Sequence, residues 1–233
     1  MFSRRIFLAS AAVAPLAAAS TAYADDSCSV FNKERQGAIT PEAALQTLKD
    51  GNARFVAGKT INCDLREQVK ATSTGQYPFA AVVGCIDSRV PPELVFDQRI
   101  GDMFAARIAG NFVNDDIIGS LEFATKVAGA KAIVVLGHTE CGAVKGAIDG
   151  AKLGLLTKML ENFNPAIQAA KDVDGEKNSK NKKLVQKVAD TNAVLAAKKL
   201  LERSDVLREL VEKKQLVIAA AMHDISTGEV RFL

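Results

Sequence analysis

Three stretches of this chain are apolar at nearly every position: residues 79–84 (FAAVVG), 103–108 (MFAARI) and 132–136 (AIVVL). Such runs predict strands covered on both faces, as in a parallel sheet packed between helices. Helical patterns fill the intervals. Thr40-Pro41-Glu42 starts a helix with Ala44, Leu45, Leu48 and Phe55 on its apolar stripe and its end near Gly58. Asn114-Asp115-Asp116 caps another, running to about Ala128, with acids in the first turn where the macrodipole favours them. Residues 143–170 read as helical with an interruption at Asn164-Pro165, and residues 182–201 as one long helix. Ser204 or Asp205 caps a shorter helix through Val211. Residues 216–222 form a further strand, and Ser226-Thr227-Gly228 turns into a last one at 229–232. So short a connection makes that last strand antiparallel. Residues 25–39 and the stretch from Gly58 to Pro78 read as polar and irregular. The fold class is α/β: a mostly parallel β-sheet flanked by helices, with an antiparallel last edge strand. No linker divides residues 25–233, which are read as a single domain.

Two of the apolar runs end in chemistry. Cys85-Ile86-Asp87-Ser88-Arg89 follows the first, and His138-Thr139-Glu140-Cys141-Gly142 follows the third. Ligands of parallel sheets bind beyond the carboxyl ends of the strands, so neighbouring strands would present Cys85 and His138 at one edge. Cys141, three residues after His138, is within reach of the same ion. Gly137 and Gly142 would let the backbone turn tightly there. Two thiolates and an imidazole select zinc over magnesium or calcium, and three protein ligands leave a fourth position open, as a catalytic zinc needs. Arg89, two residues from Asp87, would hold that carboxylate ionised and oriented. Asp87 then has two roles open to it: hydrogen-bond acceptor for a zinc-bound water, or fourth zinc ligand. The competing reading makes Asp87 a helix cap, since Pro91-Pro92-Glu93 looks like a helix start.

The first residues read as an address. Ser3-Arg4-Arg5-Ile6-Phe7-Leu8 is a twin-arginine pattern, an Ala-rich stretch follows, and Ala22-Tyr23-Ala24 is a small-x-small cleavage site. Residues 1–24 are expected to be a signal peptide and the mature protein periplasmic, with no membrane attachment. Loss of Arg4 and Arg5 takes the formal charge from +3 to +1, which gives no basis for a nucleic-acid partner. Cys28 and Cys63 lie outside the motifs. An oxidising compartment would permit a disulfide between them, and two unpaired thiols are the equal alternative.

At these residues the chain resembles the β-class carbonic anhydrases. The likeness rests on Gly51-Asn52-x-Arg54-Phe55, Cys85-x-Asp87-Ser88-Arg89-Val90-x-Pro92-Glu93, Gly101-Asp102-x-Phe104, Arg107-x-Ala109-Gly110-Asn111 and Gly137-His138-x-x-Cys141-Gly142-Ala143, in that order. The resemblance implies zinc-dependent, reversible hydration of carbon dioxide to bicarbonate, with one Zn2+ per subunit on Cys85, His138 and Cys141. It makes Asp87 and Arg89 the catalytic pair that orients the attacking hydroxide. It implies substrate contacts from Gln76, Phe104 and the Gly142 N–H, with Val82 and Ala109 beside Phe104 in an apolar pocket. It also implies a homodimer or higher homo-oligomer with the active site near the subunit interface. Ile108 replaces a polar residue common in the family. The chain has no Trp, and Val82 stands where the bicarbonate-inhibited branch carries one, which implies the open-zinc form. His223 is read as an ordinary strand residue. The alternatives are a hydrolase of carbon disulfide or carbonyl sulfide on the same scaffold, and a non-enzymatic zinc-binding protein.

Overall fold

The computed structural model describes residues 28–233, so the expected signal peptide, residues 1–24, lies outside the described residues. The three apolar runs are strands: β1 (Ala80–Gly84), β2 (Met103–Arg107) and β3 (Ala132–His138). With β4 (Val217–His223) and β5 (Val230–Phe232) they form one sheet in the order β2-β1-β3-β4-β5. β1 pairs in parallel with β2 and with β3, β3 in parallel with β4, and β4 antiparallel with β5. Gly84 lies opposite Leu136, so β1 and β3 are neighbours, and β3 runs two residues past the end of β1. β1 and β3 are buried along their whole length. β2 departs from the expectation: its residues alternate between buried or half-buried and exposed. It is an edge strand, with a row of backbone groups unpaired in the single chain.

Helices cover both faces. α1 (Lys33–Ala38), α2 (Pro41–Val56), α3 (Leu65–Thr72) and α4 (Pro92–Val95) precede β2, and α5 (Asp115–Glu122), extended by a π turn over Phe123–Val127, leads to β3. α6 (Gly142–Ile148), α7 (Gly154–Leu160), α8 (Asn164–Ala169), α9 (Lys182–Arg203) and α10 (Asp205–Glu212) lie between β3 and β4. The caps follow the chemistry of the sequence. The Thr40 hydroxyl accepts from Ala43 N–H, Asn114 from Ile117 and Ser204 from Leu207. On one face, Ile133, Val135, Ala81 and Val83 pack against α5, α8, α9 and α10. On the other, Ala80, Val82, Val134 and Leu136 pack against Phe31, Ala44, Leu48, Val90 and Phe96.

Three regions differ from the expectation. The first irregular stretch contains α1, and the second contains α3, capped by Asp64 through the N–H groups of Arg66 and Glu67. Both helices are short and polar, so hydrophobic periodicity is blind to them. The break within 143–170 falls between α6 and α7, whereas Asn164-Pro165 begins α8. Proline fits the first turn of a helix because its missing N–H has no partner to lose there.

Candidate metal centre

The ligand atoms of Cys85, His138 and Cys141 lie within 4.8 Å of one another, and all three residues are buried. Topology puts them there. Cys85 follows the last residue of β1, His138 ends β3, and the chain turns back at Glu140 to bring Cys141 to the start of α6. That turn holds Glu140 at φ 56, a left-handed conformation uncommon for a non-glycine residue. Thr139 ties the turn to β4: its N–H donates to His223 O at 3.0 Å, and its hydroxyl accepts from Ile225 N–H at 3.1 Å. Gly137 is required for packing, not for turning. It lies within β3, and a Cβ there would stand 2.5 Å from Met222 Sδ.

The residues fit a zinc ion. A tetrahedral zinc keeps sulfur and nitrogen ligands about 3.5–3.8 Å apart, within the spread of this cluster. His138 Nδ1 lies 2.9 Å from Thr139 O, while its Nε2 is buried with no hydrogen-bond partner. The first contact favours the Nδ1–H tautomer and leaves a lone pair on Nε2 aimed at the cluster, the arrangement of a metal-binding histidine. The sulfurs are prepared as well. Cys85 Sγ accepts from Gly110 N–H at 3.1 Å and from Asp87 N–H at 3.4 Å. Hydrogen bonding to Cys141, with the Gly110 and Asp87 amides, brings the Cys85 thiol down to about 4 against the opposing effect of burial. Cys141 moves up, as donor to Cys85 and through burial.

Asp87 stands beside the cluster, with Oδ2 3.9 Å from His138 Nε2. The Arg89 guanidinium grips it twice, Nε to Oδ1 at 2.9 Å and Nη2 to Oδ2 at 2.7 Å, and Arg89 N–H adds a third bond to Oδ1 at 3.0 Å. These bonds hold the carboxyl well below the usual carboxylate range. Asp87 does not cap α4. The residue before that helix is Pro91, and no side chain caps it.

Two residues of the family motif, Arg107 and Gly110, contribute in ways that the sequence reading does not assign. Arg107, the last residue of β2, donates from Nε to Cys85 O at 2.8 Å and from Nη2 to Asp87 O at 2.7 Å. It thereby clamps the loop that carries the first ligand and the carboxylate. Gly110 (φ 76) supplies the amide to Cys85, and the buried Asn192 of α9 fixes it by donating to Gly110 O at 2.8 Å. Polar residues closing an apolar strand and an apolar helix stripe were the available signals; their partners are distant in sequence.

The expected substrate residues are not all brought together in one chain. Gly142 is the first residue of α6 and is exposed beside Cys141. Phe104 pairs with Ala81, four residues short of Cys85, or about 13 Å along the strand. Gln76 is exposed ahead of β1, at the end of the sheet opposite the cluster. Val82 packs in the core on one face while Phe104 packs on the other, so the two share no pocket within a chain.

Residues 80–230 match the family model for carbonic anhydrase. Carbonic anhydrase 2 of Mycobacterium tuberculosis is 35% identical over 195 residues, covering 81% of this chain and 90% of that protein. A carbonic anhydrase of Mycolicibacterium smegmatis is 44% identical over 133 residues, 54% of this chain and 65% of that protein. Among solved structures, the β-carbonic anhydrase CafA of Aspergillus fumigatus is 26% identical with a TM-score of 0.64, covering 82% of this chain and 89% of that one. The chain belongs to the β-carbonic anhydrase family of enzymes.

Proposed function

We propose that the chain hydrates carbon dioxide reversibly to bicarbonate and a proton at one zinc ion per subunit, held by Cys85, His138 and Cys141. The observation that carries this reading is the buried, unpartnered His138 Nε2 facing two sulfurs. Bound there, zinc would supply Lewis-acid activation of a water molecule near neutral pH. The chain supplies orientation. Asp87, kept ionised by Arg89, accepts a hydrogen bond and aims the attacking oxygen's lone pair at carbon. With both its oxygens bound to Arg89, Asp87 is better disposed to accept a hydrogen bond than to complete a coordination sphere. Arg107 keeps Cys85 and Asp87 in register, and the Gly142 N–H contacts a substrate oxygen.

Gln76 and Phe104 act in the site of a second copy. The open edge of β2, the exposed Phe123 and Val127 at 53% and 72%, and the groove of about 670 Å3 running from Phe104 to Phe123 support dimerisation along this edge. Such a dimer carries Phe104 across to the partner. The twin-arginine pattern supports export to the periplasm, which sequencing the N-terminus of the mature protein would check.

Stopped-flow measurement of carbon dioxide hydration between about pH 6 and 9, with zinc determined on the same sample, tests the reading. Hydration that rises with zinc content supports it. Fully loaded protein that leaves carbon dioxide untouched and hydrolyses carbonyl sulfide or carbon disulfide would replace it.

A further inference from the structure

We infer that the Cys28–Cys63 disulfide and the N-terminal arm it fastens position the loop bearing Gln76, so that substrate handling depends on this crosslink. The inference rests on the proposed function, in which Gln76 contacts substrate.

The loop runs from the end of α3 to β1, and the same short arm holds the start of α3 and the trailing end of the loop. Ahead of α3, Cys63 is bonded to Cys28 and immediately precedes Asp64, the cap of the helix, so the crosslink anchors the eight-residue helix from which the loop departs. α3 is seated further by Gln68 Oε1, which accepts from Ile100 N–H at 2.9 Å. At the trailing end, the buried Gln36 of α1 donates to Pro78 O at 2.8 Å and to Ala128 O at 2.7 Å. Phe31 lies on Phe79 with ring centroids 4.6 Å apart. The arm itself is pinned to the turn before β2, where Phe31 N–H donates to Asp102 Oδ1 at 2.8 Å.

The Gln76 side chain is exposed, so the ends of its loop set where it points. Opening the disulfide frees the start of α3, the helix that carries the loop's leading end. Cys28 and Cys63 are therefore positioning residues, remote from the reacting atoms and coupled to them through Gln76.

The test compares carbon dioxide hydration by the oxidised protein, the same folded protein after reduction, and a Cys28→Ser/Cys63→Ser variant. Each is measured with Gln76 present and as Gln76→Ala, with zinc per chain determined throughout. The reductant is a water-soluble trialkylphosphine. The disulfide gains two electrons and two protons to become two thiols, while the phosphine takes oxygen from water and becomes its oxide. Loss of the crosslink is expected to lower kcat/KM about tenfold, mainly through KM, at unchanged zinc content. In the Gln76→Ala background that loss is expected to vanish, because both changes remove one contact. Reduction of folded protein gives the answer even if the double-serine chain fails to fold. Unchanged kcat/KM after reduction, or an equal loss in both backgrounds, overturns the inference. Oxidised, zinc-loaded protein with no hydration activity overturns the proposed function instead.

Discussion

At the carboxyl end of the sheet, His138 keeps a fully buried ring nitrogen without a partner. At the amino end, Asp102 is as deeply buried, yet both its oxygens are bonded, Oδ1 to Phe31 N–H at 2.8 Å and Oδ2 to Arg99 Nη1 at 3.2 Å. Burial alone raises the Asp102 carboxyl, and the Phe31 amide and Arg99 oppose that rise. The two ends differ in whether metal-ligating side chains converge on the unpaired atom. An unpaired acceptor is costly unless something binds it, and at the carboxyl end two sulfurs and an imidazole converge for that purpose. The amino end also leaves Gln98 Oε1 and Arg99 Nε without partners, but no group of metal-ligating side chains converges on them, and the end is held by a disulfide, a buried ion pair and an aromatic contact within the chain. One end is arranged for a ligand, and the other for stability and for holding the Gln76 loop.

Substitutions separate the two ends. Cys141→Ser has the largest expected effect: zinc and hydration activity are lost together, read by metal analysis and stopped flow on one preparation. Asp87→Ala keeps the three ligands, so zinc content should hold while kcat falls about a thousandfold. Full activity in that variant would remove Asp87 from the reaction. Asp102→Ala strands Arg99 and the Phe31 N–H at the amino end and should cost about 3 kcal/mol of stability in denaturant unfolding, with zinc affinity unchanged. A loss of zinc affinity there would show that the ends are not independent. Arg107→Gln loosens the clamp on Cys85 O and Asp87 O and should weaken zinc binding about tenfold in chelator competition. Retained affinity would make Arg107 a bystander.

Much of the carboxyl end was legible in the sequence. Apolar runs mark buried strands because alternation disappears when both faces are covered, and the ligands stand directly after two of them. The Asp87–Arg89 pair is readable for a similar reason, its partners being two residues apart. The amino end was largely illegible. α1 and α3 are short and polar, and Gln36, Gln68 and Asp102 are held by partners far along the chain. The pairing of Cys28 with Cys63 depends on a fold that brings their Cα atoms to 5.5 Å, which no spacing rule supplies. Arg107 went unassigned because its carbonyl partners lie on another strand's loop. The strand carrying Phe104 read as buried because its residues are apolar, and in the single chain it is an exposed edge. That mismatch is itself a pointer to a covering partner.

The cluster of Cys85, His138 and Cys141 is proposed as the zinc site where carbon dioxide is hydrated. The most direct measurement titrates metal-free protein with zinc and follows the hydration rate by stopped flow. The account predicts a rate that rises linearly with bound zinc and breaks at one equivalent per chain. A rate that stays at the uncatalysed background after the site is filled would contradict it.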